Sequence, residues 1–453
     1  MKQKTVEKLA LKEKIGYALG DTAANIAWRS LTTFLLVFYT DVFGISAAAA
    51  GVLLLVARIS DGGLDIVVGM LADRTNTKHG KFRPWILWSA VPLGVLMALT
   101  FTTPDFSYTG KLIYAYFTYI LMLFVYTSNN IPYSALMGVM TSSHKERTSL
   151  SSFRFAGAYL GGIITQGFLI YLVMFLGNGN KNLGYQYSMY LFAALLVGFL
   201  LITYFTTKER VLPSKDQQTN VGKDLKDLLT NRPWLILLLI GFLFVTYNSI
   251  KQGITVIYFE RYLNNVSLTA YYMVALLVIS VIAALVTTPL ANFFGKRNLF
   301  VYVIIFSGLA NGVLYFFGPS DITAIFTFGI LSEFGAGIMP VLFFAMLGDS
   351  ADYSEWKNNR RATGLFYSAG TFAMKFGGGV AGAIIGFVLS AYHYNGMEAS
   401  TVPGAIPGIK LLMSWVPGIF AAIGASVLMF YPLTKIKMDQ IEIDLKARKA
   451  ILT

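Results

Sequence analysis

Cysteine is missing altogether, histidine nearly so, and charge is scarce. None of the 453 residues is Cys, three are His, and only 13% are Asp, Glu, Lys or Arg. Without cysteine there can be no disulfide, no thiolate metal site and no cysteine nucleophile. His79, His144 and His393 all fall in turns between apolar runs, so the usual intramembrane enzyme chemistry has no material; neither an enzyme nor a cofactor is expected. The opening stretch MKQKTVEKLALKEK has no apolar core ending in a small-residue cleavage site, and no removed signal peptide is expected. What the chain does have is apolar surface. At 55% hydrophobic and 15% aromatic residues it is far too apolar for a soluble globular protein, and it belongs in a bilayer.

Runs of about 20 apolar residues, the length that crosses a hydrocarbon core, recur twelve times. They centre in Ile15–Phe43, Ala47–Leu71, Phe82–Thr102, Lys111–Val139, Leu150–Phe175, Gly184–Thr206, Trp234–Phe259, Ser267–Phe294, Leu299–Phe317, Thr323–Leu347, Thr363–Ser390 and Ile409–Leu433. The even-numbered turns and the two termini carry 27 Lys and Arg, the opposite side 4. By the positive-inside rule both termini are cytoplasmic. The net charge of +13 is therefore mostly topological and lipid-facing, and no nucleic-acid partner is expected.

The longest hydrophilic break, TTKERVLPSKDQQTNVGKDLKDLLTNRPW, follows the sixth run. It gives two six-helix bundles, 1–207 and 233–434, joined by a cytoplasmic linker, 208–232, with a cytoplasmic tail, 435–453. The turn GMLADRTNTKHGKFRP after the second run has a weaker echo, PLANFFGKRNLF, after the eighth, which suggests a duplicated unit. Charges interior to the runs, namely Asp21, Arg29, Arg58, Asp61, Asp65, Arg154, Lys251, Glu333 and Lys375, avoid every third run. Runs 3, 6, 9 and 12 thus read as peripheral and the others as lining a polar cavity. Three polar stripes agree, each on one helical face: Asp21, Asn25 and Arg29; Thr127, Asn130 and Ser134; Ser368, Thr371 and Lys375.

The second run is the most informative. In VARISDGGLDIVVGMLADR, Arg58, Asp61 and Asp65 stack on one face, with the carboxylates about 6 Å apart along the axis. An Arg58–Asp61 ion pair that merely holds helices together would account for one carboxylate and not for two. Ionisable groups in a membrane span are costly and normally serve a wet cavity where ions bind or pass.

These residues resemble the major facilitator superfamily, and within it the glycoside-pentoside-hexuronide:cation symporters, the melibiose-permease-like group. The matching segments are IGYALGD at Ile15, YTDVFGIS at Tyr39, ARISDGGLD at Ala57, GMLADRTNTKHGKFRPW at Gly69, NIPYSAL at Asn130, FRF at Phe153, and GDSADYSEWKNNRRATG with KFGGG from Gly348. The resemblance implies an all-α membrane protein with twelve transmembrane helices in two six-helix halves, the major facilitator fold. It implies a bacterial inner-membrane importer that couples a sugar to Na⁺ or H⁺ by alternating access, works as a monomer and has lipid as its other partner. By position, Asp61, Asp65 and Thr127 match the cation ligands, the metal site if the ion is Na⁺. Arg154 and Lys375 match basic residues of the sugar and coupling region, and with Asp21, Asn25 and Asn130 they form the candidate substrate site. The chain departs from the melibiose-type pattern at Asn25 and Asn130, where that pattern is acidic, at Ala24, where it has lysine, at Ser134 and Pro340, where it has tryptophan, and at Ile66, where proline is common. Amides still donate to and accept from hydroxyls. A neutral glycoside or pentoside is the first substrate expectation. A hexuronide is the alternative, because the cavity has become more positive, and a passive facilitator or sensor of the same fold is a further one.

The cytoplasmic turns supply a candidate latch, Asp73 and Arg74 in one half and Asp349, Asp352 and Arg361 in the other. Opposite charges at matching ends of two halves can pair in one state and part in another, worth about a few kcal/mol at most. Charge swaps across these pairs should shift the inward against outward accessibility of a probe; unchanged accessibility leaves them as topology-setting charge only.

Overall fold

A bilayer interior offers no partner to backbone N–H and C=O groups, so each apolar run has to close its hydrogen bonds on itself, and each becomes a helix. The computed structural model describes residues 9–141, 144–210, 229–358 and 363–452; among these there is no sheet, only an isolated bridge between Thr77 and Gly80. The spans are α1 Leu11–Arg29, α2 Ala47–Arg74, α3 Arg83–Thr100, α4 Tyr108–Met140, α5 His144–Gly177, α6 Lys181–Thr206, α7 Arg232–Ile257, α8 Ser267–Phe294, α9 Lys296–Val313, α10 Ile322–Asn358 and α11 Thr363–Ala391. The twelfth, α12, is broken at Ser414 into Val402–Met413 and Trp415–Leu428, and α13, Lys435–Leu452, follows it. Ten helical stretches among the described residues are long and apolar enough to cross a membrane. With α1 and the 28-residue α2 they make the twelve spans expected of the major facilitator fold.

Local chemistry sets several helix starts. Ser46, Ser107, Asn180 and Asn231 each precede a helix and accept a hydrogen bond from the backbone N–H three residues on, satisfying a donor that the helix itself cannot. The start of α3 uses a distant residue instead: the Glu209 carboxylate accepts from the N–H groups of Lys81, Phe82 and Arg83 at 2.8–2.9 Å. A carboxylate there satisfies three orphan donors and faces the positive end of the helix dipole. The first span does not stop at Arg29. It continues through a π-helical turn at Ser30–Phe34, an α turn at Leu35–Phe38 and a second π turn at Tyr39–Phe43, and ends at Gly44, whose φ of 84° only glycine adopts without strain. The seventh span likewise ends in a π turn, Tyr258–Tyr262.

The chain forms two compact units. The first comprises Met1–Asp216 with Val266–Val274 and His393–Val402; the second comprises Gln217–Asn265, Ala275–Tyr392 and Pro403–Thr453. In the first, the Tyr394 hydroxyl ties its short segment down by donating to Asp41 Oδ2 at 2.7 Å. Each unit also repeats one packing device. In the first, α1 lies against α5, where the Thr22 hydroxyl donates to the Gly157 carbonyl at 3.0 Å, and a Cβ on Gly157 would collide with the Ala18 carbonyl. In the second, α7 lies against α11, where the Thr246 hydroxyl donates to the Gly377 carbonyl at 3.2 Å, and a Cβ there would meet the Phe242 carbonyl. Small residues that let backbones touch, with a hydroxyl bonding across, are how helices adhere where lipid tails are as apolar as leucine. The same pair of helices, closed in the same way in both units, is the structural counterpart of the turn echo in the sequence.

This contact predicts a specific sensitivity. Gly157→Ala forces a methyl into the Ala18 carbonyl and should destabilise the protein by about 1–3 kcal/mol despite alanine's better helix propensity. Gly198→Ala on α6, where nothing lies within 4 Å of the new Cβ, should not. Thermal unfolding of the two variants in the same detergent checks the difference.

Candidate functional site

The Arg58–Asp61 part of the charged face of α2 is buried. Asp61 is 1% exposed, Arg58 6% and Thr127, on α4, 2%. The Thr127 hydroxyl donates to Asp61 Oδ1 at 2.6 Å, while Arg58 Nη1 stands 3.9 Å from Asp61 Oδ2. The ion pair weighed from sequence therefore exists, and the same carboxylate also holds the threonine oxygen. Asp65, one turn further along α2, is half-buried. Two carboxylates and a hydroxyl are hard oxygen donors suited to Na⁺, and a carboxylate with a second one near it is suited to a proton. The Arg58 guanidinium competes for Asp61 in either case.

A second cluster assembles around Arg154 on α5. Its Nε lies 3.5 Å from Asp21 Oδ1 on α1, its Nη2 donates to Ser134 Oγ on α4 at 3.2 Å, and its guanidinium lies over the Tyr133 ring at 5.4 Å. Tyr133 is fixed in turn. It stacks on Tyr17 at 4.7 Å, and each hydroxyl donates to the other's backbone carbonyl, at 2.6 and 3.3 Å. Of the five candidate sugar residues, Asp21 and Arg154 are thus brought into contact. Asn25 donates to the Asp21 carbonyl of its own helix at 2.9 Å, and Asn130 donates to the Tyr126 hydroxyl at 3.5 Å. Each amide oxygen is still available to accept. Lys375 is half-buried on α11, in the second unit.

Residues absent from the sequence candidates complete the picture. Trp28 and Tyr126 stack at 5.5 Å, and Arg58 lies over Trp28 at 4.2 Å. The only sequence signal for them was register: Trp28 follows Asn25 by three residues and Tyr126 precedes Asn130 by four, so both share the polar faces. In the second unit, Lys251, 4% exposed, donates to Ser332 Oγ at 2.9 Å and lies 3.5 Å from Glu333 Oε2. Ser280 donates to the other Glu333 oxygen at 2.8 Å, and the Tyr247 hydroxyl lies 2.7 Å from Ser332 Oγ. A buried lysine is tolerable in a span when it is paired and hydrogen-bonded in this way.

The gating candidates divide. Arg74 is exposed at the end of α2, Asp352 is half-buried on α10, and Asp349 is engaged within its own unit by Lys296, whose Nζ donates to both carboxylate oxygens at 2.6 and 2.8 Å. Lys296 was legible only as part of the turn echo. The Asp73 side chain and Arg361 lie outside the described residues, as does most of the linker, 211–228.

Comparison with known proteins follows this geometry. The model of the family described as MFS/sugar transport protein matches residues 16–435. The chain is 35% identical over 443 residues to a putative glycoside/cation symporter, YagG, of Escherichia coli (strain K12), covering 98% of this chain and 96% of the relative. It is 34% identical over 429 residues to the isoprimeverose transporter of Lactiplantibacillus pentosus, covering 94% and 89%. Among solved structures, a D-xylose-proton symporter superposes with a TM-score of 0.68 at 13% identity, over 93% of this chain and 98% of that one, a likeness of fold alone. The chain is an integral membrane protein that belongs to the MFS/sugar transport family, as one of the glycoside-pentoside-hexuronide:cation symporters of the major facilitator superfamily.

Proposed function

We propose that this protein is a secondary active transporter that carries a sugar or glycoside inward across the bacterial cytoplasmic membrane, coupled to Na⁺ or H⁺ by alternating access. Both termini are cytoplasmic, and the favoured substrate is a neutral glycoside or pentoside. One observation carries the coupling: a carboxylate inside a span, Asp61, is 1% exposed, hydrogen-bonded by Thr127 and faced by Arg58. A carboxylate kept at that cost for adhesion alone needs one counter-ion; this one also has a hydroxyl oxygen on it and Asp65 a turn away. Relatives named as a glycoside/cation symporter and an isoprimeverose transporter support the substrate class.

In this reading Asp61, Asp65 and Thr127 take the cation, and Asn25, Asn130 and Arg154, with Asp21, hold the sugar. Arg154 is fixed by Asp21, Ser134 and Tyr133, so its remaining N–H donors are pre-oriented for a hydroxyl. The amides of Asn25 and Asn130 accept and donate without adding charge, which suits an uncharged ligand. Cation and sugar then raise each other's affinity, as linkage requires.

Uptake into vesicles with an imposed Na⁺ or H⁺ gradient, over neutral glycosides, pentosides and uronides, tests the reading. Asp65→Asn should abolish uphill accumulation while sparing part of the downhill exchange. Asp61→Asn should eliminate any Na⁺ response, because Na⁺ needs several oxygens where H⁺ needs one carboxylate. If both variants still accumulate sugar with unchanged ion dependence, the pair is structural and the reading fails.

Calorimetry checks the sugar residues separately. Asn130→Ala removes a donor and an acceptor and should weaken sugar binding by about 1–2 kcal/mol, roughly five- to thirtyfold, with expression little changed. Binding equal to that of the parent would remove Asn130 from the site.

A further inference from the structure

The second unit holds a carboxylate that belongs to neither candidate set. Glu333 lies on α10, and its surroundings come from other helices of the same unit. Ser280 of α8 donates to Oε1 at 2.8 Å, and the Lys251 ammonium of α7 stands 3.5 Å from Oε2. Close helix contacts fix this geometry. A Cβ on Gly337, one turn beyond Glu333, would come within 2.9 Å of the Ser280 Cα, so α8 and α10 touch there. A Cβ on Gly335 would strike Ser307 of α9, whose hydroxyl donates to the Ser332 carbonyl at 2.9 Å.

The two members of the ion pair stand in different surroundings. The Lys251 side chain is 4% exposed and well occupied: its ammonium donates to Ser332 Oγ at 2.9 Å and lies over the Tyr247 ring at 5.1 Å, besides facing Glu333. The Glu333 side chain is 16% exposed, and its acceptors are only partly used. A carboxylate offers about four lone-pair sites. Among the described residues it receives one hydrogen bond at 2.8 Å and one long contact at 3.5 Å. A pair serving adhesion alone gains nothing from acceptors left open. An ionisable group inside a span opens onto water or a ligand rather than hydrocarbon, and so does the open side of Glu333.

We propose that Glu333 is a substrate-binding and selectivity residue that accepts hydrogen bonds from hydroxyls on adjacent ring carbons of the sugar, and that Lys251 and Ser280 are positioning residues that hold its carboxylate. The proposal rests on the reading that the protein carries a sugar. Two neighbouring hydroxyls of a pyranose can direct both O–H groups at one carboxylate, a charge-assisted pair of bonds. Lys251 balances the charge from the buried side and leaves the open side to the ligand. An ionised carboxylate donates nothing, so the site discriminates: a uronide carboxylate placed there would meet like charge and find no donor. The ligand class is a neutral pyranoside with adjacent free hydroxyls.

The test is calorimetric titration of the full chain in lipid nanodiscs, at one pH and one Na⁺ concentration, with methyl β-xylopyranoside, methyl β-glucopyranoside and methyl β-glucopyranosiduronate. These ligands differ only at C5, which carries hydrogen, hydroxymethyl and carboxylate in turn. The parent should bind the neutral pair about tenfold more tightly than the uronide. In Glu333→Gln the affinity for the neutral pair should fall about tenfold, while the uronide, now facing a Lys251 without its counter-charge, should bind at least as well as in the parent. Ser280→Ala loosens the carboxylate and keeps its charge, so it should weaken the neutral sugars about threefold and preserve the preference. Parent-like neutral affinity in Glu333→Gln, an equal fall for all three ligands, or a parent that prefers the uronide would overturn the assignment and leave sugar transport standing. A parent that binds none of the three would overturn the reading beneath it as well. Should Glu333→Gln fail to fold, its combination with Lys251→Met removes both charges together: selective loss of the neutral sugars supports the assignment, and unchanged selectivity overturns it.

Discussion

The contacts around Asp61 are arranged around the cost of a carboxylate inside a membrane span. Asp61 cannot be solvated by lipid, so it has to be solvated by protein, and the protein supplies a hydroxyl from α4 and a guanidinium from its own helix. Those partners then need holding in their turn. Thr127 is positioned by α4, and Arg58 by the Trp28 ring of α1. Three helices are thereby committed to one charge. The Arg154 cluster follows the same rule, drawing Asp21 from α1 and Ser134 from α4 onto a guanidinium of α5. From the Asp61 cluster, contacts run on through Arg58, Trp28 and Tyr126 to Asn130 within a single unit.

The second unit meets the same constraint with different chemistry. Its buried charge is a lysine, paired with Glu333 and surrounded by hydroxyls from Ser332, Ser280 and Tyr247. The two units share their helix adhesion, a threonine hydroxyl on a glycine carbonyl between the corresponding helices, yet not their charged groups. Packing geometry is thus what the two units have in common, because a backbone-to-backbone contact leaves no room for a Cβ. The charges of the polar interior differ in kind from one unit to the other.

The fold was legible because its signal is local. Apolar runs of span length, basic residues on alternate turns and one long hydrophilic break are visible in a single chain, and the hydrogen-bonding demand of the bilayer converts each run into a helix without reference to any other. The Arg58, Asp61 and Asp65 face was legible for the same reason: three charges in one span violate composition so strongly that periodicity alone puts them on one stripe. Trp28, Tyr126 and Tyr17 were not legible. An aromatic residue in an apolar helix breaks no local rule, so nothing marks it until a partner from another helix is known. Glu209 was hidden differently, since it caps a helix more than a hundred residues earlier in the chain.

The amino-acid sequence by itself therefore determined the number of spans, the family and which residues are too costly to be incidental, since all of these follow from the transfer energies of single residues, from spacing along one helix and from the segments that carry the family resemblance. Only the tertiary structure decided what each costly residue touches. It joined Thr127 to Asp61, divided Arg58 between a carboxylate and a ring, gave Arg154 to Asp21, and turned Asp349 toward Lys296 inside its own unit. The reason is physical: pairing energies depend on distances between helices that are remote in sequence, and those distances are set by glycine contacts and side-chain packing that no single segment encodes.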